Sequence, residues 1–402
     1  MRRLLYLIAL LLTTCVGCGP TTGQADAVRL WTGLDAEYPV IERVVADFQQ
    51  RTGIQVQMLK VPFEQLRNKF LIAAPADLGP DLVIGPQDWV GVLATAGQLE
   101  PIPQEALPGE DFVPVSVQAV TFQGQVYSVP LFMECNALFR NTRLMPERPR
   151  SVPELVARAT ALQQADPTLK GFYFDLQEPY FAWPFFSAEG AWLLREKDGR
   201  TDPFDLGINT PGSVRAAEFL RSLRQESRLI PPGASENISR TLFQEGRAAV
   251  IINGPWMLKD AKAAGVPYAV DPFPPTASGG QPRPLVGVQG IMLNRRATRR
   301  ADALKLMEHL ASVESTVAIS QASGRPPVRR GALERIQGDP DIATFAMIAE
   351  HGTPMPSHPA VNAIWVPLKS ALELITTGKS PADRELRATD ERIRQKIQLM
   401  LE

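Results

Sequence analysis

A strand–helix–strand pattern near the start of the chain constrains the fold more than any other feature. Residues 27–31 alternate apolar and polar side chains with the two-residue period of a strand. Between 41 and 48 the apolar residues recur at i, i+3, i+4 and i+7, which is one face of a helix, and Gly53 is suited to ending it. A second alternating stretch covers 54–58. Such a unit sets its two strands parallel, so the sequence predicts an α/β fold.

The same alternation of strands and helices returns along the chain. The later predicted elements are a strand at 80–84, a helix from 151 to 164 with a Ser151–Glu154 capping box, a strand at 248–252 followed by a helix that opens at Gly254-Pro255, a strand at 289–293 with a helix after it, and helix from 361 to the end with a break near 378–381. Because 402 residues exceed one typical domain, we expect two lobes.

The N-terminus has the pattern of an export sequence. Two arginines precede the apolar run Leu4–Leu12, which is too short to span a bilayer, and Val16-Gly17-Cys18 resembles a bacterial lipoprotein processing box. We therefore predict a signal peptide at 1–17, lipid on Cys18 and a flexible tether at 18–27. A plain cleaved signal peptide is the alternative.

Composition excludes several classes of function. The 42 Lys and Arg balance 43 Asp and Glu, which leaves no basic footprint for nucleic acid. The chain has three His, and a lone Cys135 is expected to be a packing residue. Common nucleotide, hydrolase and metalloprotease motifs are missing. We expect no cofactor and no metal. A pair of glycosidase carboxylates stays open, because such pairs have no fixed spacing in sequence.

Aromatic residues are concentrated between 172 and 192. This stretch holds nine of the 29 aromatic residues, with acids between them. Sites for small molecules combine apolar walls with a few placed polar groups, and flat rings suit the faces of sugars. We expect four of the rings to be core and two to be candidates for the site. The core rings are Phe172, Phe174, Phe185 and Phe186, and the candidates are Tyr180 and Trp183.

Several segments in order resemble the maltose/maltodextrin-binding protein family, the extracytoplasmic solute receptors of ABC importers. The matched segments are Leu30-Trp31, 52–54, 79–81, 176–184, 252–256, Gly287-Val288, Asp339-Pro340, and Met355-Pro356 ahead of Trp365. The resemblance covers nearly the whole chain after the predicted tether.

The resemblance implies two α/β lobes that close over a sugar by a hinge motion. It implies a first lobe of 28–132 and 291–335, a second lobe of 136–287 and 340–402, and hinge segments near 133–135, 288–290 and 336–339. The partners that follow are a saccharide, the permease subunits of an ABC transporter and the membrane through the lipid anchor. We expect a monomer.

The family's binding residues carry over to matching positions. The resemblance assigns sugar hydroxyls to the acids Asp35, Asp88 and Glu134 of the first lobe and Glu178 of the second, and sugar faces to the rings of Tyr180, Trp256 and Trp365.

The first-lobe wall departs from the family pattern. Gly85 stands where the family has a Trp platform, Trp89 stands in place of an Arg, and Arg67 replaces an acid. Gly85 is expected to leave space for a differently shaped second sugar unit, provided that Trp89 does not fill it.

The ligand is therefore expected to be an α-glucoside, with maltose, maltodextrin, sucrose, trehalose and glucosylglycerol all open. A surface-anchored glycoside hydrolase and a purely structural lipoprotein are the alternative classes.

Overall fold

The computed structural model describes residues 26–103, 111–197 and 200–401. The predicted signal peptide, Cys18 and the tether up to residue 25 lie outside the described residues. No helix among the described residues is both long enough and apolar enough to cross a bilayer.

The described residues form fourteen strands and fifteen helices. The strands are β1 (Val28–Thr32), β2 (Val56–Lys60), β3 (Leu82–Pro86), β4 (Thr121–Phe122), β5 (Gln125–Val126), β6 (Ser128–Glu134), β7 (Ala137–Asn141), β8 (Lys170–Tyr173), β9 (Arg195–Lys197), β10 (Arg200–Asp202), β11 (Ala248–Asn253), β12 (Tyr268–Asp271), β13 (Leu285–Leu293) and β14 (Thr353–Pro354). The helices are α1 (Tyr38–Thr52), α2 (Phe63–Ala73), α3 (Val90–Thr95), α4 (Pro114–Ala119), α5 (Val152–Ala165), α6 (Pro179–Ala188), α7 (Pro211–Gln225), α8 (Glu236–Gln244), α9 (Leu258–Ala264), α10 (Arg300–Leu310), α11 (Val313–Ser323), α12 (Arg330–Ile336), α13 (Pro340–Glu350), α14 (Trp365–Thr376) and α15 (Ala382–Leu401).

The first lobe is built on a six-stranded sheet. Strand β1 pairs in parallel with β2 and β3, as the strand–helix–strand pattern predicts. Strand β13 lies antiparallel between β3 and β6, and β14 adds to β13 in parallel. Helices α1, α10 and α11 pack against one another in this lobe. Helix α1 buries Ile41, Val45 and Phe48 and ends at Gly53, whose φ of 73° confirms the predicted cap.

The second lobe is built on a four-stranded sheet in the order β12-β7-β11-β8. Helix α5 packs on β8, and α7 packs against both α6 and α14. The Ser151 Oγ accepts a hydrogen bond from the Glu154 backbone N–H at 3.2 Å, which confirms the cap predicted for α5. The predicted break in the C-terminal helix is also confirmed, because α14 ends at Thr376 and α15 begins at Ala382.

The chain passes between the two sheets at several places, and the boundaries of the lobes and hinges stay predictions. Residues 288–290 lie inside strand β13, which is continuous from 285 to 293. Within β13, residues 289–293 pair with β3, 287–292 pair with β6, and 285–286 pair with β14. A shift in the pairing of β13 with β6 occurs between Gln289 and Gly290, where such an irregularity bends a strand. Strand β14, which the sequence analysis assigns to the second lobe together with 285–287, pairs with residues 285 and 286 of β13.

The aromatic segment mostly forms the core of the second lobe. Phe172, Phe174, Phe185 and Phe186 are at most 1% exposed, as expected. Trp183 is also 1% exposed and stacks on Phe186 with a centroid distance of 6.3 Å. The hypothesis that Trp183 faces the site is therefore wrong, because helix α6 turns this indole toward the core.

Candidate functional site

The candidate site lies where three strands end between the lobes. Strand β3 continues into a short 3-10 turn at Gln87–Trp89, β6 ends at Glu134, and β11 continues into the turn Pro255–Met257. In open α/β sheets, ligands bind outside the carboxyl ends of strands. In addition to burial, charge repulsion from Asp88 of the first lobe raises the pKa of Glu134, and the charge of Glu134 raises the pKa of Tyr180 of the second lobe, so both residues lie within electrostatic range of Glu134. Segments that follow strands of both sheets therefore come together around Glu134.

Two carboxyl groups of this region are held in a water-poor setting. Burial raises the pKa of Asp88 to about 6, and the nearby Arg67 guanidinium acts in the opposite direction. Burial likewise raises the pKa of Glu134 to about 7, and Gln289 Nε2 opposes this by donating to Glu134 Oε1 at 3.3 Å. Carboxyl groups in such a setting accept hydrogen bonds from ligand hydroxyl groups, and do so most strongly when ionised.

Tyr180 and Trp256 form the aromatic side of the site. Their ring centroids are 6.3 Å apart, and their planes are inclined by 35°. Trp256 is half-buried, and its Nε1 donates to Glu236 Oε1 at 2.9 Å, which fixes the orientation of the indole. The Tyr180 hydroxyl is enclosed and has no hydrogen-bond partner among the described residues, and burial raises the pKa of Tyr180. The two rings offer apolar surface beside an unused polar group.

Trp89 fills the space over Gly85. A Cβ added at Gly85 would lie 2.6 Å from the Trp89 ring and 3.1 Å from Met292 Cε. Trp89 is 5% exposed, and its ring lies 5.5 Å from that of Phe63. The condition set for an open subsite at Gly85 is therefore not met, and the expectation of free space there is wrong. The Trp89 indole is a core residue of the first lobe.

The remaining predicted residues have partners of their own outside the Glu134 contacts. Asp35 is exposed and pairs with Lys60 Nζ at 2.6 Å. Glu178 pairs with Lys369 Nζ at 2.9 Å, from the residue before α6 to helix α14. Trp365 is half-buried at the start of α14.

Arg67 reaches from α2 to the segment that leads into α14. Its Nη1 donates to Asn362 Oδ1 at 3.0 Å. Asn362 belongs to a 3-10 turn at Pro359–Ala363, which contacts the turn that carries Asp88. Arg67 therefore lies within electrostatic range of Asp88 and ties helix α2 to the turn that precedes α14.

Sequence reasoning missed three residues that the fold brings to Glu134. Arg325 Nε donates to Glu134 Oε2 at 2.7 Å, and Arg325 Nη1 pairs with the buried Glu37. The Gln289 side chain is 3% exposed, and its Oε1 has no partner among the described residues. Glu37 lies only two positions from Asp35, so the acid-rich loop after β1 was a usable hint. Nothing local marks Arg325 or Gln289.

A large cavity of about 1220 Å³ lies elsewhere. Helix α4, the β4–β5 hairpin and residues 353–358 form much of its lining, and none of the predicted ligand-binding residues lines it. The site is therefore defined by convergent contacts around Glu134 and not by cavity size.

The arrangement suits reversible binding of a neutral, ring-shaped, hydroxyl-rich molecule. Half-buried rings supply flat apolar surface, and enclosed carboxyl, amide and hydroxyl groups supply directional hydrogen bonds.

Two solved structures are similar over almost the whole chain. The Thermus thermophilus maltotriose binding protein bound with maltotriose is 31% identical, with a TM-score of 0.83, over 92% of this chain and 100% of that one. A cyclo/maltodextrin-binding protein complexed with maltotetraose is 30% identical, with a TM-score of 0.84, over 93% of this chain and 98% of that one. Both support the two-lobed fold.

Sequence relatives agree with the structures. The galactooligosaccharide-binding protein of Bacillus subtilis is 25% identical over 389 residues, which cover 92% of this chain and 90% of that protein. The maltotriose-binding protein of Pyrococcus abyssi is 28% identical over 347 residues, 81% of this chain and 73% of that protein. Residues 43–344 match the family described as bacterial extracellular solute-binding proteins. The chain belongs to this family of bacterial extracellular solute-binding proteins.

Proposed function

We propose that this protein captures a maltooligosaccharide or a related α-glucoside outside the cytoplasm and delivers it to an ABC importer. The observation that carries the proposal is the meeting of the Tyr180 and Trp256 rings with the enclosed Glu134 carboxyl at the ends of strands from both sheets. The names of its relatives, which include maltotriose-binding proteins and maltooligosaccharide transporter lipoproteins, support the same class of ligand.

The other predicted residues fit a binding role. Asp88, Arg67 and Glu178 supply polar groups around the cleft, Trp365 supplies a further ring, and Asp35 lies at its exposed end. Because Trp89 covers Gly85, the first lobe contributes hydrogen bonds more than ring surface. Ligand choice therefore depends on hydroxyl positions, since a directional acceptor left without its partner is costly.

Calorimetry of residues 26–402 against a panel of saccharides tests this function. The panel is maltose, maltotriose, sucrose, trehalose, glucosylglycerol and a β-galactooligosaccharide. We expect saturable heats with at least one α-glucoside and tighter binding of it than of the galactooligosaccharide. Heats no larger than dilution for every sugar would contradict the proposal.

The protein acts as a receptor and not as an enzyme. Incubation of saturating maltotriose with the protein for a day should leave the sugar intact by chromatography, because binding needs no protonated acid paired with a nucleophile or a base. Release of glucose that is lost in Glu134→Gln would favour the glycoside hydrolase instead.

Lobe closure accompanies binding. Small-angle scattering should give a smaller radius of gyration with maltotriose than without it, as for other hinged binding proteins. Superimposable curves would contradict closure.

The membrane anchor is the lipid on Cys18. A Cys18→Ser change in the full chain should release the protein into the soluble fraction without altering its sugar affinity, because acyl chains supply the membrane affinity. Retention of the Cys18→Ser protein in membranes would argue for another anchor.

A further inference from the structure

A loop of the first lobe packs directly on the second-lobe turn that carries Trp256. The loop begins at Gly324, which ends helix α11 with a φ of 78°. A Cβ added at Gly324 would lie 2.7 Å from Leu258 Cδ1 and 3.1 Å from the Pro255 carbonyl oxygen. The next residue, Arg325, is thereby held between the lobes.

The Arg325 guanidinium is held by two acids and also lies 5.4 Å from the centroid of the Phe132 ring. Its Nε donates to Glu134 Oε2 at 2.7 Å, its Nη1 donates to Glu37, and its side chain is 11% exposed. The third nitrogen, Nη2, donates to no atom of the described residues. The guanidinium carbon lies 6.0 Å from the centroid of the Trp256 ring. A molecule lying on that ring is therefore beside a free donor whose orientation is already set.

The charges around Arg325 favour a neutral ligand. Burial lowers the pKa of Arg325 to about 10, which leaves the guanidinium charged at neutral pH. Two carboxyl groups, Glu37 and Glu134, already neutralise that single charge, so no surplus positive charge is left to attract an anion. What remains is one directional donor, and a hydroxyl or ring oxygen accepts from it.

We propose that Arg325 is a ligand-binding residue: Glu37 and Glu134 hold its guanidinium so that Nη2 donates to an oxygen of a neutral saccharide that lies on Trp256. The inference rests on the proposed saccharide-binding function and adds a specificity-determining donor to it. A fixed guanidinium contacts one defined oxygen, so it distinguishes sugars by the position of that oxygen.

The test compares binding affinities in a double-mutant-cycle design, in which one change is made in Arg325 and the other removes a single oxygen from the ligand. Maltotriose and its monodeoxy analogues are titrated against the parent protein and against Arg325→Lys. Lysine keeps a positive charge near the two acids but lacks the planar fork, so the thermal midpoint should change little while maltotriose affinity falls about tenfold or more. For the parent protein, one analogue should bind about tenfold more weakly than maltotriose. For Arg325→Lys, the same analogue and maltotriose should bind equally well, because the donor that contacts the missing oxygen is gone.

Arg329→Lys is the matched control. Arg329 lies four residues further along the same loop, pairs with Asp111 and lies 5.4 Å from the Phe112 ring. Unlike Arg325, which lies near Trp256 of the second lobe, Arg329 has both its acid and its ring partner in the first lobe. It should keep the parent's ranking of analogues. If Arg325→Lys does not fold, Arg325→Gln combined with Glu37→Gln, which removes the buried carboxylate together with its cation, provides the same comparison.

Two failures are distinguishable. A parent protein that binds no saccharide contradicts the proposed function. A parent that binds maltotriose, with every deoxy penalty unchanged in the Arg325 variant, contradicts only the role of Arg325.

Discussion

Trp89 and Trp256 occupy similar positions in the two lobes and have different surroundings. Each indole lies in a 3-10 turn after a buried strand, and each covers a glycine, Gly85 or Gly254. Trp89 is 5% exposed against Phe63, whereas Trp256 is half-buried beside Tyr180. The same local arrangement therefore gives a core residue on the first-lobe wall and a candidate platform on the second. One face of each indole lies over its glycine. The two residues differ in what the neighbouring elements place around the rest of the ring.

The largest expected effect is on the stability of the first lobe. Trp89→Ala should lower the free energy of unfolding by about 3–5 kcal/mol, the usual cost of removing a buried aromatic ring. Urea denaturation followed by circular dichroism measures it. A loss below about 1 kcal/mol would mean that Trp89 is not core, and the contrast with Trp256 would disappear.

A smaller effect concerns the enclosed acid beside Trp89. The folded-state pKa of Asp88, about 6, lies above the ordinary aspartate value of 3.8, so the folded protein binds the proton more strongly than the unfolded chain. The contribution of Asp88 to stability should therefore fall as pH rises from about 4 to about 6 and then level off.

Asp88→Asn isolates this effect. The variant should lack this part of the pH dependence, which is up to about 2–3 kcal/mol for a shift of roughly two units. Denaturant midpoints at pH 4.5, 6 and 8 measure it. Equal slopes for parent and variant would show that Asp88 is not enclosed.

Trp256→Ala should instead act on binding. We expect affinity for every saccharide that binds to fall by about 2 kcal/mol, or roughly thirtyfold, because a ring platform at the centre of an interface contributes at this level. The free energy of unfolding should change far less than in Trp89→Ala. Calorimetry with denaturation of the same sample measures both, and a large stability loss with intact affinity would reverse the roles of the two indoles.

The smallest expected effect concerns the glycine under Trp89. Gly85→Ala should destabilise the protein by about 1–2 kcal/mol, because a Cβ there would lie 2.6 Å from the ring and the core must shift. The ranking of sugars should not change. A changed ranking with unaltered stability would restore Gly85 as a specificity position.

Much of the fold could be predicted because local patterns repeat at fixed periods. The parallel pairing of β1 with β2, the end of α1 at Gly53 and the Ser151 cap all follow from periodicity and from backbone preferences of single residues. The hinge predicted at 288–290 lies inside strand β13 and stays a prediction, because a buried apolar run does not tell by itself which sheet it joins.

The site was predicted less completely. The resemblance named Glu134, Tyr180 and Trp256, which the fold brings together. It could not reveal that Trp89 covers Gly85, nor that Arg325 reaches Glu134 across 191 residues of sequence.

The sequence by itself determined the α/β elements, the family resemblance and the residue types available to the cleft, because these depend on neighbours within a few positions. The tertiary structure alone decided which rings keep a free face, which acids are enclosed and which cation lies among them. Burial and electrostatic interactions act through space between residues far apart in the chain, and only the packed fold sets those distances.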